Sequence, residues 1–404
     1  MRLTLCKFND NRSKKLMLAI SLIILAIFSC CMNIVNVHAN NENYANNSTR
    51  ISQVVDEIIK GIDLSELDNI VNELDTVNLF DGGIKDKISK IINGEFFDDY
   101  SSVFTGILSI LFLNIREFLP FLFTIIAIGI LANLINEFKT NSDGASDIVH
   151  FVCLSVMVIT IIFIFKDVLG LVSTTLNTLL KQMKILFPIL ITLMTAIGSF
   201  SSISLYNPLV AVLTNLVGIV FDKLLFPIFI IVFLFAILGN LTDTVKLNKF
   251  QGFLFSAFKW IVGIVFTLFA GFLSIQGITA GRFDSVSIKA TKFAIKSYVP
   301  IIGSFISDGM DFLVLGSVLV KNTIGLVGIL IVFISIISPV ISILIIKLGL
   351  QFSSAVIEMS GSKKLSDFVS SCSKILIMPI VIILAVSFMY LITIAIIMCT
   401  ANIF

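Results

Sequence analysis

Charge is what this chain has least of. Only 13% of its 404 residues are Asp, Glu, Lys or Arg, roughly half the usual share of about 25% in soluble domains. Tryptophan occurs once and histidine twice. If an N-terminal leader is removed, His150 is the only histidine left. No Cys/His cluster has the spacing of a metal site. There is no phosphate-binding glycine loop, so the chain does not power itself with nucleotide. The serines are plentiful, but no nucleophile–base pair is identifiable among them. The expectation is therefore no catalytic residues, no metal, no cofactor and no nucleic-acid partner. The six cysteines form no disulfide framework. Cys6, Cys30 and Cys31 would leave with the leader, while Cys153, Cys372 and Cys399 lie in or beside apolar runs. There they act as small hydrophobes.

What is present is apolar length: 57% hydrophobic residues, with Phe alone occurring 37 times. The charge that exists is unevenly placed. Between Asn40 and Tyr100 there are thirteen acidic residues against five basic ones. The rest is apolar runs separated by short lysine-bearing loops. The start reads as a secretory signal: a basic stretch with Arg2, Lys7, Arg12, Lys14 and Lys15, an apolar stretch from Leu16 to Phe28, and Val37-His38-Ala39 before the expected cleavage. An uncleaved first membrane helix is the alternative, since Leu16 to Val37 is nearly long enough to span. In either case residues 40–100 are expected outside. Their apolar positions (Val54, Val55, Ile58, Ile59, Ile62, then Leu67, Ile70, Val71, Leu74) recur with helical period.

Ser101 to Ile115 reads as an interfacial helix, followed by spans at Phe118–Ile135 and Ile148–Phe165. Lys166 to Lys184 is amphipathic and too polar to cross readily. Two stretches are expected to be broken, re-entrant hairpins. The first joins Ile185–Leu205 to Pro208–Phe221 through Tyr206-Asn207. The second is Val299–Val320. Backbone breaks are expected at Pro188, Pro300, Gly303 and Gly309. Further spans fall at Leu224–Leu241, Trp260–Ile278, Ile324–Ile346 and Ile375–Met398. The fold class is thus all-α, a polytopic membrane protein with about seven to nine membrane segments by apolar length. Spacings such as Lys184-x-x-x-Pro188 and Lys296-x-x-x-Pro300 suggest two related membrane halves. The division is 1–39 signal, 40–100 acidic external segment, 101–165 interfacial helix and first two spans, 166–280 first half and 281–404 second half.

Ionisable groups at membrane depth mark function. Asp308 and Asp311 share a helix face. They line a polar cavity with Lys296 or Lys321 as counter-charge, beside Asn322, or they sit in a watery turn that closes a hairpin. Lys289, Lys292 and Lys296 form a basic stripe, expected opposite Phe293 and Ile295. It rests on anionic headgroups or docks an acidic partner. Gly325-x-x-Gly328 lacks the spacing of a tight helix-pair motif and receives no weight.

The stretch from Ser274 to Gly325 resembles the stage III sporulation protein AE family of endospore-forming bacteria. The residues that carry the resemblance are Gln276-Gly277, Thr291-Lys292-Phe293, Pro300-Ile301-Ile302-Gly303, Asp308, Asp311 and Lys321-Asn322-Thr323-Ile324-Gly325. The order of elements also agrees over nearly the whole chain. The resemblance implies a subunit of a secretion-like channel in the mother-cell membrane facing the forespore. It further implies an ATPase, ring-forming and small membrane proteins and a forespore component as partners. Its role would be in late forespore gene expression and forespore integrity. It carries no catalytic residues. A stand-alone ion-coupled permease for small solutes and a structural membrane anchor are the alternatives.

Overall fold

The computed structural model describes residues 54–55, 57–74, 100–137, 143–241, 247–298 and 303–400. The signal region and most of the acidic segment lie outside the described residues, as do Pro300 and the side chains of Lys292, Ile295 and Asp308. Within a bilayer each backbone N–H and C=O must be paired inside its own segment. The described apolar runs accordingly form helices, and no strand occurs among them. These are α1 (Ser65–Leu74), α2 (Tyr100–Glu137), α3 (Asp143–Ile197), α4 (Phe200–Val217), a π-helical stretch (Gly218–Leu225), α5 (Phe226–Leu241), α6 (Asn248–Tyr298), α7 (Gly303–Met359), α8 (Lys363–Ile375) and α9 (Ile377–Cys399). Among the described residues, six helices are long and apolar enough to cross a membrane.

Of the expected breaks, Gly303 opens a helix, whereas Pro188 and Gly309 lie inside helices. α3 passes straight through Pro188, fusing the expected span, the amphipathic stretch and the first arm of the hairpin. A proline inside a helix costs about 3 kcal/mol. Here its neighbours Phe187 and Leu190 are fully buried and hold both flanks. The real break comes ten residues later. Gly198 has φ +86. Its N–H donates to Thr195 O at 2.9 Å, and Ser199 N–H donates to Met194 O at 3.0 Å. This is the Schellman pattern, in which a left-handed glycine satisfies the last carbonyls of a helix. Tyr206-Asn207, expected as the hairpin turn, instead lies inside α4. The second expected hairpin is absent as well. α7 runs unbroken from Gly303 through Gly309 and Pro339 to Met359, because a single glycine costs a helix only about 1 kcal/mol. α2 likewise merges the interfacial helix with the first span, keeping Arg116 and Glu117 exposed.

α7 is the helix on which the others are assembled; it packs against α1, α2, α3, α6, α8 and α9. Small residues and hydroxyls set each approach, as expected where apolar burial alone gives helices no preference for each other over lipid. Gly328 faces Leu186 of α3, and Gly325 faces Met398 and Ile394 of α9. The two glycines discounted as a pair motif therefore serve two different neighbours. Gln182 Nε2 of α3 donates to Ser335 Oγ at 2.6 Å. Ser342 Oγ donates to Asn114 Oδ1 of α2 at 2.6 Å. Ser366 Oγ of α8 donates to Ser354 O at 2.9 Å, and Ser373 Oγ to Lys347 O at 2.9 Å.

These contacts also fix direction. Going along α7, its partners on α3 fall from Leu186 to Gln182, so α3 is antiparallel to it. On α2 they rise from Asn114 to Asn133, so α2 is parallel. α9 and α8 are antiparallel. Phe165 of α3 stacks on Phe229 and Phe233 of α5, at ring distances of 5.6 and 3.7 Å. Tyr206 of α4 instead meets Thr400 at the other end of the bundle. The segment α4–π–α5 therefore descends while α3 ascends. α6 starts beside Phe235, through Phe250, and reaches the middle of α9, where Phe266 meets Phe388 at 5.3 Å. The six apolar segments thus alternate up and down. Val54 and Ile58 lie against Gly316, and Val55, Ile59, Leu64 and Leu67 join the core. Val54, Ile58 and Leu67 consequently sit at the same end as Thr400, and the start of α8, with Lys363 and Lys364, at the opposite one.

Candidate functional site

The most deeply buried charge-bearing side chain described is Lys321, at 0% exposure in the middle of the bundle's upper third. Its Nζ donates to the backbone carbonyl of Thr400. Thr400 is the residue at which α9 ends: its backbone turns to an extended conformation (φ −80, ψ 147) and its N–H donates to Ile396 O. The last carbonyls of a helix have no partner within it, and the helix dipole leaves partial negative charge there. An amine donor from a neighbouring helix answers both. The Thr400 hydroxyl donates to Ile396 O at 2.5 Å. This leaves its oxygen to accept from the hydroxyl of the fully buried Tyr206, 2.7 Å away. α7, α4 and the end of α9 are thus locked by one polar cluster inside an otherwise apolar core. Beside it in sequence, the Asn322 Oδ1 is buried and has no hydrogen-bond partner. The cluster can hold three helices in register and exchange hydrogen bonds.

The expected pairing of Lys321 with the aspartates is not made. α7 is continuous, so Asp311 lies about 15 Å and Asp308 about 20 Å from Lys321 along its axis, beyond the combined reach of the side chains. Asp311 is half-buried near the start of α7; the Asp308 side chain lies outside the described residues. Lys289 and Lys296 are exposed on the polar end of α6, seven residues apart and so on one face. Phe293 is not opposite them. It is 73% exposed and lies only about 40° around the helix from Lys289, at roughly 100° per residue. Sequence reasoning missed Tyr206, read as part of a turn, and Thr400. Neither carries a local signal, since the two meet across 194 residues.

No solved structure matches the chain. Over 387 residues it is 20% identical to the stage III sporulation protein AE of Bacillus subtilis (strain 168), covering 94% of this chain and 96% of that one. Residues 83–401 match the family described as stage III sporulation protein AE (spore_III_AE). That stretch includes every helix packed on α7 apart from α1, together with Lys321, Tyr206 and Thr400, and on it the chain belongs to the stage III sporulation protein AE family.

Proposed function

We propose that this protein is the membrane subunit of a multiprotein conduit in the mother-cell membrane, facing the forespore. It works with an ATPase, ring-forming and small membrane proteins and a forespore component, and serves late forespore gene expression and forespore integrity. It moves no solute alone and catalyses no reaction.

The observation that supports this reading is the height of the packed body. Contacts run along α7 from Gly316, against Val54, to Ile357, against Gly129, a distance of about 62 Å at 1.5 Å per residue. The hydrocarbon core is about 30 Å thick, and a helix tilted by 40° uses only about 39 Å to cross it. More than a third of the assembled body therefore stands outside the hydrocarbon, as a platform for other proteins. A carrier working by itself has no need of one.

The test is to purify the protein from sporulating cells and, separately, to reconstitute it alone in vesicles. The expected result is a large membrane complex containing an ATPase, and no solute uptake by the protein alone. Autonomous uptake driven by an ion gradient would replace the conduit with a permease.

A further inference from the structure

Two of the long apolar segments carry a single adjacent pair of opposite charges. In α2 the only charged residues before its last, Glu137, are Arg116 and Glu117. From Phe200 to Leu241 the only ones are Asp222 and Lys223, on the π-helical stretch. All four side chains are exposed. Among the described residues none of the four has an ion-pair or hydrogen-bond partner. Neighbours in sequence do not face each other on a helix, so neither pair neutralises itself. Each interrupts an outward apolar surface, formed by Phe112, Leu113 and Leu119 on α2 and by Ile219, Leu224 and Ile230 on the other segment. Exposed apolar surface of this extent marks a contact.

The two pairs stand at similar heights along the bundle. Phe118, next to Glu117, lies against Gly349 of α7. Phe165 of α3 stacks on Phe229 and Phe233 of α5. It lies about 26 Å along α3 from Gln182, which bonds Ser335 of α7. At 1.5 Å per residue these contacts place the pairs within about 8 Å of each other along the bundle. Within one chain the pairs do not meet, and α3 packs against both segments. Both segments run opposite to α3, and therefore in the same direction.

We infer that α2 of one copy docks on the π-helical stretch and α5 of a second copy, with Arg116 against Asp222 and Glu117 against Lys223. The order of charge selects a second copy as the occupant. Copies of one chain associate by rotation, and a rotation about an axis parallel to the bundle preserves height and chain direction. It brings arginine-then-glutamate alongside aspartate-then-lysine, so each charge meets its complement. A partner of one sign would satisfy only half of each pair, and acyl chains neither. The flanking apolar residues supply the buried core of the contact, and the charges fix its register. A second copy is no part of the conduit reading and does not depend on it.

The test uses the full chain in membranes of sporulating cells, where an Arg116→Cys chain and an Asp222→Cys chain are expressed together. A short bismaleimide is added, and linked peptides are identified by mass spectrometry. The unsubstituted protein, in which Cys399 is exposed, gives the background. A link between position 116 of one chain and position 222 of the other is expected. Its absence, or links of 116 to 116 and 222 to 222 in its place, would overturn the inference. A second arm exchanges the charges. Arg116→Asp and Asp222→Arg should each abolish the dimer seen by sedimentation in mild detergent, and the two in one chain should restore it. Failure to restore it, with the protein at wild-type level in the membrane, would also overturn the pairing. A linked dimer that takes up solute without an ATPase would keep this contact and remove the conduit reading.

Discussion

Lys321 and Thr400 are joined across 79 residues, the amine of one closing the last turn of the helix that ends at the other. The link explains why an apolar protein keeps a lysine in its core. The end of α9 would otherwise be buried with unpaired carbonyls, each such group costing about 1–3 kcal/mol.

Replacing Lys321 by methionine keeps the volume and removes the donor. The expected result is a thermal unfolding midpoint in detergent several degrees below wild type, with faster proteolysis of the residues after Ile396. A variant with an unchanged midpoint and an intact C-terminus would show that the amine contributes nothing to closing α9.

Tyr206 and Thr400 should behave as one unit. Tyr206→Phe and Thr400→Val each remove one partner of the 2.7 Å hydrogen bond and should each cost about 1 kcal/mol. The double variant should cost little more than the worse single one, since residues in contact are not additive. Unfolding midpoints of the four proteins measure this, and simple additivity would mean that the hydroxyls do not interact.

A Cβ added at Gly328 would clash with the Leu186 Cδ2 methyl where α7 crosses α3, so a side chain there would force the buried Leu186 to move. Gly328→Val should lower the amount of protein in the membrane, by an overpacking cost of about 1–3 kcal/mol. Adding Leu186→Ala opens the space and should restore part of the level. Failure of the second change to help would place the damage elsewhere than in this contact.

The spans themselves were legible in the sequence, because an apolar run in a bilayer has few alternatives to a helix. Of their joints, the one opening at Gly303 was legible too, but the others were not. Pro188 and Gly309 look like breaks locally, yet packing of Phe187, Leu190 and the rest of α3 and α7 overrides a local penalty of one to three kcal/mol. Gly198 breaks the chain because its left-handed conformation lets it satisfy the end of α3, which proline cannot do. Within the site, Lys321 stood in the stretch that its isolated charge singled out. Its partner could not be read, since a free carbonyl at a helix end is identical in sequence to any other. Gly325 and Gly328 were discounted for the same reason: each depends on a side chain more than 70 residues distant in the chain.

Asp311 lies near the start of α7, well away from the Lys321 cluster. Asp311→Asn keeps the shape of the side chain and leaves the Lys321 cluster untouched, so membrane level and assembly should persist. On the conduit reading it should nevertheless impair late forespore gene expression. Normal sporulation at normal protein level would exclude Asp311 from the working part.

Chain direction makes the last prediction. Val54 packs on Gly316 and Lys321 on Thr400, so Val54 and Thr400 occupy one end of α7. The six apolar segments alternate in direction, and an even number of crossings returns the chain to the side on which it began. Reporters at residues near 50 and after Phe404, each active on only one side of the membrane, should give the same answer. A third reporter in the loop at Ser360–Ser362, at the far end of α7, should give the opposite one. That loop is followed by Lys363 and Lys364, which belong on the cytoplasmic side by the positive-inside rule. The reporters at the two termini should accordingly be active outside. Termini on opposite sides would mean that one apolar segment does not cross, and α3 or α7, each much longer than a bilayer requires, would then have to be divided between membrane and water differently.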